Sequence, residues 1–360
     1  METNYNICYN LCTGCEYINM KKDLLKISKK KIEDKINEIL DKEIEKYSDN
    51  EFIKESIIEL KRLSSGGKRV RGYLVKLGAM LFGKDDDSYI DLAAALEIFQ
   101  TAILIHDDII DEADKRRGLE TINAKYKGHI GVSKAICIGD LGFFISYRII
   151  NNANISKELK DEIIKIYSKT LHNTVNGEII DVELPLKDIN YHKRMNDSII
   201  YDIYLNKTAW YTIIGPILIG AVSASASTED KEKLTVMGSY LGIAFQIKDD
   251  LLGLYSTSSS MGKTLNDVKE GKQTIIYKYA IDYANCDELK IIDKYYGNPN
   301  ISAGETKMIA DLFEKLGAKR NAEKLEIEYT NKGTQIINSM DVQNKDLFMD
   351  FANYLLKRDK

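Results

Sequence analysis

The stretch LIHDDIIDEADKRRG, residues 104–118, decides the fold because it attaches a dense set of carboxylates to an apolar segment. In a helix, Asp107 and Asp111 lie four residues apart and share a face, with Asp108 beside them. The preceding residues, AAALEIFQTAILIH at 93–106, are almost all apolar. A helix that is apolar on every side belongs in a protein interior, where carboxylates need a metal ion or a cationic partner. The alternative is a solvated, charged helix end.

The composition favours helices along nearly the whole chain. The 360 residues include only three prolines, and long stretches are rich in Lys, Glu, Ile and Leu, whereas alternating strand patterns are scarce. No Pro/Gly/Ser-rich linker divides the chain, so we predict one large all-α domain over residues 20–360. Helices are expected near residues 20–47, 51–63, 68–82, 88–112, 131–150, 156–183, 196–226, 229–256, 273–295, 303–318 and 319–357.

Charge and hydropathy argue against two classes of partner. Lys and Arg total 51 against 55 Asp and Glu, a net charge of -4, so the basic excess of a nucleic-acid binder is missing. The stretch 209–226, AWYTIIGPILIGAVSASA, is long enough to suggest a transmembrane helix, but its Gly, Pro and small residues favour a buried core helix. We expect no transmembrane span, no signal peptide and a cytoplasmic location.

Three of the five cysteines form a separate motif at the N-terminus. Cys8, Cys12 and Cys15 have the CxxxCxxC spacing with which radical S-adenosylmethionine enzymes hold an iron-sulfur cluster. Such enzymes need a repeated strand-helix barrel, which this chain does not predict. We therefore interpret residues 1–19 as a loosely ordered extension.

A second pair of carboxylates lies in another apolar segment, FQIKDDLLGLY at 245–255, which contains Asp249 and Asp250. Facing helices in a bundle can place such groups around a shared cavity. Carboxylate oxygens suit Mg²⁺, which also binds substrate phosphates. With only four histidines, zinc is less favoured.

Basic clusters supply the opposite charge. They are GGKRVRG at 66–72, Arg116 with Arg117, NKTA at 206–209, and MGKTLNDVKEGKQT at 261–274. Glycine beside lysine lets an anion approach closely, and arginine forks match phosphate oxygens. Two acidic and four basic motifs together predict a pocket for diphosphates bridged by a divalent metal.

These motifs resemble, in order, those of the trans-isoprenyl diphosphate synthases, from about Gly66 to Lys272. The likeness comprises GGKRVR, DDIID followed by RRG, GEIID at 177–181, KTA, FQIKDD and the final GK...D...K segment. The resemblance implies a single-domain bundle of about ten or more helices around a central substrate cavity. It also implies Mg²⁺-dependent condensation of an allylic diphosphate with isopentenyl diphosphate, and a homodimer.

Site residues follow from the resemblance position by position. The resemblance implies that Asp107, Asp111 and Asp249 bind Mg²⁺, with about three ions per site. Asp108 and Asp250 are neighbouring carboxylates of the same metal sites. It implies that Arg116, Lys207 and Lys263 bind the allylic diphosphate, and that Lys272 is a further substrate-binding residue. Isopentenyl diphosphate binding falls to Lys68, Arg71, Gln100 and Arg117. Lys207, Thr208 and Gln246 form the catalytic set at the reacting centre.

Two positions depart from the family pattern. Gly253 stands where many members have a third aspartate, a variant that looks like those of bacterial and archaeal long-chain or geranylgeranyl synthases. Glu178 stands where the family usually has Gln, and the sequence leaves open the sign of its effect on the phosphate pocket.

Product length is expected to depend on the helix before the first motif. Residues four, five and eight before Asp107 are Ile103, Ala102 and Phe99, and these would point along the growing chain. The small Ala102 leaves the tunnel open and Phe99 would form its floor, which predicts geranylgeranyl diphosphate (C20). Farnesyl or longer products are the alternative, and Phe99 could instead be ordinary core.

Three rival functions are less consistent with the motifs. A class I terpene cyclase usually lacks the GGKxxR cluster, and a squalene or phytoene synthase lacks the KTA segment with Lys263 and Lys272. A non-catalytic subunit of a heteromeric synthase tends to lose an aspartate motif or a phosphate-binding cation, and nearly every one is present here.

Overall fold

The computed structural model describes the backbone of residues 5–255 and 266–356, and the side chains of residues 24–255 and 267–354. The chain divides into two compact units, Met1–Ala79 with Lys84–Lys160, and Met80–Gly83 with Asp161–Lys360. Residues 20–360, predicted as one helical domain, therefore contribute to both units. The side chains of Cys8, Cys12, Cys15 and Lys263 lie outside the described residues, and the predicted extension over residues 1–19 stays a prediction.

The elements up to residue 152 are helices and one short hairpin. They are α1 (Tyr5–Lys46), α2 (Glu51–Ser64), α3 (Val70–Leu81), a 3-10 turn (Asp87–Tyr89), α4 (Ile90–Ile110), β1 (Lys115–Arg116), β2 (Leu119–Glu120), α5 (Ile122–Tyr126) and α6 (Gly128–Asn152). The two strands pair antiparallel.

The remaining described elements are all helical. They are α7 (Lys157–Glu183), a 3-10 turn (Leu184–Leu186), α8 (Ile189–Arg194), α9 (Ser198–Ile203), a π-helical segment (Tyr204–Ile214), α10 (Gly215–Ser223), α11 (Thr228–Tyr255), α12 (Asn266–Glu270), α13 (Ile275–Tyr283), α14 (Cys286–Tyr295), α15 (Ala303–Lys315), α16 (Ala318–Ser339) and α17 (Lys345–Leu356). The prediction of an all-α fold is confirmed.

Polar side chains begin several of these helices. The Asn50 side chain accepts a hydrogen bond from the Ile53 N–H at the start of α2. Asn285 and Ser302 each form a reciprocal capping box at the start of α14 and α15. These caps satisfy backbone N–H groups that have no partner within the first turn of a helix.

Helix α4 is the core of the first unit, as its apolar sequence predicted. Most of its residues are buried, and it packs along α6. Gly142 of α6 lies against Ala102, and Gly139 lies against the ring of His106, so a side chain at either glycine would collide with α4. The glycines thus allow two long helices to approach closely.

In the second unit, α11 packs against the π-helical segment and α16. Gly242 of α11 lies directly against Ala209, and Gly333 of α16 lies against Leu241. Residues 209–223 are buried, so the apolar stretch 209–226 is chiefly core, as predicted.

Two described helical stretches are long and apolar enough to span a membrane by composition alone, Asp87–Ile110 and Gly128–Asn152. In the first, 67% of the most apolar window is buried within the protein, and in the second 39%. Core helices of soluble proteins pass the same test, so this pattern carries little weight for a membrane location.

Candidate functional site

The first aspartate-rich motif ends helix α4 and is paired with an arginine. The Arg116 guanidinium donates to Asp108 Oδ1 at 2.6 Å and to Asp107 Oδ2 at 2.7 Å. Asp108 is only 2% exposed, so its charge depends on this partner. Burial lowers the pKa of Arg116, but the charges of Asp107 and Asp108 outweigh burial and hold that pKa above its usual value. Asp111 follows at the C-terminal cap of α4.

A short hairpin separates the two arginines of the RRG sequence. Arg117 (φ 53°) and Gly118 (φ 79°) are both left-handed, as a two-residue type I′ turn requires. Arg116 lies on strand β1 and reaches the aspartates, whereas Arg117 lies at the turn. The Arg62 guanidinium donates to the Glu120 carbonyl at 2.9 Å, which fixes the second strand.

The turn places Arg117 on the glycine-rich loop of GGKRVRG. A Cβ added to Gly67 would lie 3.0 Å from Arg117 Nη1, so the guanidinium covers that glycine directly. Gly66, Gly67 and Arg69 all have positive φ angles, and the loop continues through the exposed Lys68. Arg117 therefore lies against the loop that carries Lys68, and anion binding by these two residues stays a prediction.

Buried charges hold this loop in shape. Arg69 is 4% exposed, donates to the Ser64 carbonyl at 2.6 Å and lies 3.5 Å from Glu97. Glu97 also accepts from the Gly72 N–H at 2.9 Å. The loop that carries Lys68 is thus tied to α2 and α4.

The other residues predicted on α4 occupy different environments. Gln100 and Ile103 are half-buried, whereas Phe99 and Ala102 are buried against α6. The Phe99 ring lies 5.7 Å from that of Phe143. Phe99 thus packs against α6, and its role in product length stays a prediction.

Lys207 is held by two carboxylates in the second unit. Its Nζ lies 2.8 Å from Glu178 and 2.6 Å from Asp181, both on α7. Gly177 lies so close to the Lys207 backbone that any side chain there would collide with it. The GEIID element therefore supplies a close helix crossing and two anionic partners for Lys207.

Thr208 and Gln246, predicted at the reacting centre, are joined to the second aspartate motif. Thr208 donates to Gln246 Oε1 at 2.5 Å, and Gln246 Nε2 donates to Asp250 Oδ1 at 2.8 Å. Tyr204 donates to Asp250 Oδ2. Burial raises the pKa of Asp250 well above its usual value, with Asp267 and Asp249 adding to the effect against the Tyr204 and Gln246 hydrogen bonds.

The region of the missing third aspartate contains another carboxylate. A side chain added to Gly253 would collide with the carboxylate of Asp267. The Asp267 carbonyl accepts from the Lys272 N–H at 3.0 Å, and Lys272 Nζ lies 3.1 Å from Glu270. Sequence reasoning assigned no role to Asp267, although it is the aspartate of the GK...D...K segment.

Among the described residues, no group of three or more His, Cys, Asp or Glu side chains converges as a ready metal cage. Mg²⁺ usually binds one or two carboxylates together with water and substrate phosphates, so it does not require such a cage. Asp107, Asp111 and Asp249 are carboxylates of this kind.

Comparison with known proteins agrees with these motifs. The family model described as Polyprenyl synthetase matches residues 55–313. A short chain isoprenyl diphosphate synthase from Methanocaldococcus jannaschii is 30% identical over 79% of this chain and 81% of that protein. A geranylgeranyl diphosphate synthase from Sulfolobus acidocaldarius is 31% identical over 82% of this chain and 88% of that protein.

Solved structures give the same assignment. A geranylgeranyl pyrophosphate synthase from Corynebacterium glutamicum, complexed with isoprenyl diphosphate and magnesium, matches with a TM-score of 0.85 and 25% identity. The match covers 93% of this chain and 99% of that one. The chain therefore belongs to the polyprenyl synthetase family and is a polyprenyl diphosphate synthase with the all-helical isoprenoid synthase fold.

Proposed function

We propose that the protein is a Mg²⁺-dependent head-to-tail prenyltransferase that condenses an allylic diphosphate with isopentenyl diphosphate and releases geranylgeranyl diphosphate. The observation that carries this proposal is the RRG hairpin. Arg116 pairs with Asp107 and Asp108, whereas Arg117 covers Gly67 of the GGKRVRG loop. Two adjacent arginines would thus serve two separate anion-binding sites, as two diphosphate substrates require.

The proposed reaction breaks the allylic carbon-oxygen bond, and the bonding electrons leave with the diphosphate. The double bond of isopentenyl diphosphate attacks the resulting carbocation, and the released pyrophosphate accepts the proton that is then lost. Arg116, Lys207 and Lys263 would bind the leaving diphosphate, and their positive charges would favour the ionised state. When bound, about three Mg²⁺ ions, held by Asp107, Asp111 and Asp249, would neutralise charge that develops on the leaving group.

The second substrate is assigned to the cluster around the glycine-rich loop. Lys68, Arg71 and Arg117, with Gln100, would hold the diphosphate of isopentenyl diphosphate. Burial around Thr208 limits water at the reacting centre, so the carbocation is protected from hydrolysis.

We assign a C20 product from the residues on α4. Ala102 is small enough to be packed against Gly142, whereas Phe99 is a large buried ring held by Phe143. The proposed role of the Phe99 ring is to stop chain growth at the geranylgeranyl length. The relative from Sulfolobus acidocaldarius that is named a geranylgeranyl diphosphate synthase supports this length.

Assembly as a homodimer and a cytoplasmic location belong to the same proposal. Helix α6 exposes large apolar side chains, among them Ile130 (62%), Ile136 and Phe144 (72%). Exposed apolar residues on one helix are typical of a surface that another subunit covers. Sedimentation of the purified protein would test the dimer.

The central experiment incubates the purified protein with Mg²⁺, isopentenyl diphosphate and, separately, dimethylallyl, geranyl and farnesyl diphosphate. Prenyl alcohols are then identified after phosphatase treatment. A linear C20 product that vanishes with Asp107→Ala is expected. Cyclic hydrocarbons would indicate a cyclase instead, and no product from any starter would favour a non-catalytic subunit.

A further inference from the structure

Tyr204 connects three segments of the second unit that carry predicted site residues. Its ring is 2% exposed, and its hydroxyl donates to Asp250 Oδ2 on α11. The same hydroxyl accepts from the Ile275 N–H at 3.0 Å, at the first residue of α13. Lys272 lies just before that helix, and Lys207 lies three residues after Tyr204. One buried hydroxyl therefore fixes the π-helical segment, α11 and the start of α13 together.

Both carboxylate oxygens of Asp250 accept hydrogen bonds within the protein. Oδ2 accepts from Tyr204, and Oδ1 accepts from Gln246 Nε2. Asp250 is 5% exposed, whereas its neighbour Asp249 is half-buried. Because Asp250 is buried and each of its oxygens already accepts a hydrogen bond from a protein donor, it is less accessible to a metal ion than the half-buried Asp249.

Asp250 in turn sets the orientation of Gln246 and Thr208. Because Asp250 accepts from the amide nitrogen of Gln246, the amide oxygen faces Thr208 and accepts its hydroxyl proton. The Thr208 oxygen can then present only lone pairs in its other directions. The Thr208 hydroxyl, held in this way, stabilises positive charge near its oxygen. If the Gln246 amide were turned the other way, the Thr208 hydroxyl would lose this orientation.

We propose that Tyr204 is a positioning residue for Thr208 and Gln246, and that Asp250 transmits its effect instead of ligating Mg²⁺. The sequence alone had grouped Asp250 with Asp249 as metal-site carboxylates. The π-helical turn is where such a side chain would act, since π-helical segments often occur at functional sites. This inference rests on the chain-elongation activity proposed above.

The first test compares Tyr204→Phe with the matched control Tyr201→Phe. Tyr201 lies one turn earlier, its ring is 6.3 Å from that of Tyr204, and its hydroxyl interacts with Tyr329. Tyr204→Phe is expected to lower kcat about tenfold while both substrate KM values change less than about twofold. Tyr201→Phe should leave kcat within about twofold of the wild type.

A double-mutant cycle shows whether the effect passes through Thr208. In a Thr208→Val background, Tyr204→Phe should change kcat by less than about twofold, because the oriented hydroxyl is already absent. A further tenfold loss in that background would overturn the inference. If Tyr204→Phe does not fold, the same cycle with Asp250→Asn in its place tests whether the effect on kcat passes through Thr208.

Calorimetry separates positioning from metal binding without relying on turnover. Mg²⁺ is titrated into the full-length protein with inorganic pyrophosphate. Asp249→Asn should weaken binding about tenfold or more, whereas Tyr204→Phe and Asp250→Asn should leave it within about twofold. Equal weakening by Asp249→Asn and Asp250→Asn would make Asp250 a ligand and overturn the inference. An inactive wild-type protein would instead overturn the proposed function.

Discussion

Replacing Glu178 by glutamine is expected to tighten binding of the allylic diphosphate about fivefold. Lys207 Nζ lies 2.8 Å from Glu178 and 2.6 Å from Asp181, so the trio of one cation and two anions carries a net charge of -1. A diphosphate that approaches Lys207 must compete with both carboxylates. Glutamine keeps the size of the side chain and removes one competing charge.

The magnitude follows from the distance and the exposure of the pair. At 2.8 Å the Coulomb attraction is about 6 kcal/mol at an effective dielectric constant of 20, and about 1.5 kcal/mol in water. Both side chains are 23% exposed, so solvent screening and the cost of desolvation offset most of it. A net effect of about 1 kcal/mol corresponds to about a fivefold change in affinity.

The assay measures KM for geranyl diphosphate and the dissociation constant of pyrophosphate with Mg²⁺. The matched control is Glu183→Gln, which changes the net charge equally at an exposed position later on α7. A rise of KM in Glu178→Gln, or an equal decrease of KM in Glu183→Gln, would contradict competition between Glu178 and the diphosphate for Lys207. Because the Lys207–Glu178 pair is partly exposed, the difference in KM between Glu178→Gln and Glu183→Gln should shrink at high salt.

Three further predictions concern other parts of the molecule. Gly67→Ala should raise KM for isopentenyl diphosphate about tenfold, because its Cβ would lie 3.0 Å from Arg117 Nη1. Gly66→Ala also strains a positive φ angle but meets no atom within 4 Å, so a similar KM in this control would contradict the steric explanation. Phe99→Ala should lengthen the product beyond C20, as identified from the prenyl alcohols, and an unchanged product would remove Phe99 from the length-setting role. Burial lowers the pKa of His192, so the unfolded chain binds its proton more readily. Its stabilising contribution should be present above pH about 6.5 and be lost as pH falls from there through the lower pKa of the folded state, so melting of His192→Gln should depend less on pH over this range than melting of the wild type.

Much of the helical frame follows directly from hydrophobic pattern. The apolar run 93–106 predicted a buried helix, and α4 is buried with its carboxylates at the end. The predicted helices 131–150, 156–183 and 229–256 correspond to α6, α7 and α11 within a few residues. Long apolar segments specify helices strongly because packing and propensity agree there.

Other elements could not be read from local pattern. The hairpin strands are two residues long, which is too short to show an alternation of apolar and polar residues. The sequence therefore predicted no strand there. The predicted helix 196–226 is helical from Ser198 to Ser223, but its π-helical segment and the close contact of that segment with Gly177 of α7 were not predicted. The pattern of apolar residues along the chain carries no information about contacts between helices that are distant in the sequence.

The sequence likewise predicted some of the candidate site residues and missed others. Motif spacing identified Asp107 and Arg116, which the structure joins by direct hydrogen bonds. It did not identify Tyr204, because a tyrosine in an apolar helix resembles ordinary core until its hydroxyl partners are known. The partner of a buried polar group depends on the fold and is not encoded by neighbours in the sequence.

The RRG hairpin also constrains how this sequence can evolve. Arg116 lies on a strand and Arg117 in the two-residue turn that follows it, so inserting or deleting one residue between Lys115 and Gly118 would change the turn and the strand register and redirect both arginines. The aspartate motif would lose its cation and the glycine-rich loop would lose its neighbour in a single event. Point substitutions can adjust either site separately, but length changes here alter both at once. The hairpin length should therefore tolerate less variation than the surface loops that connect the outer helices.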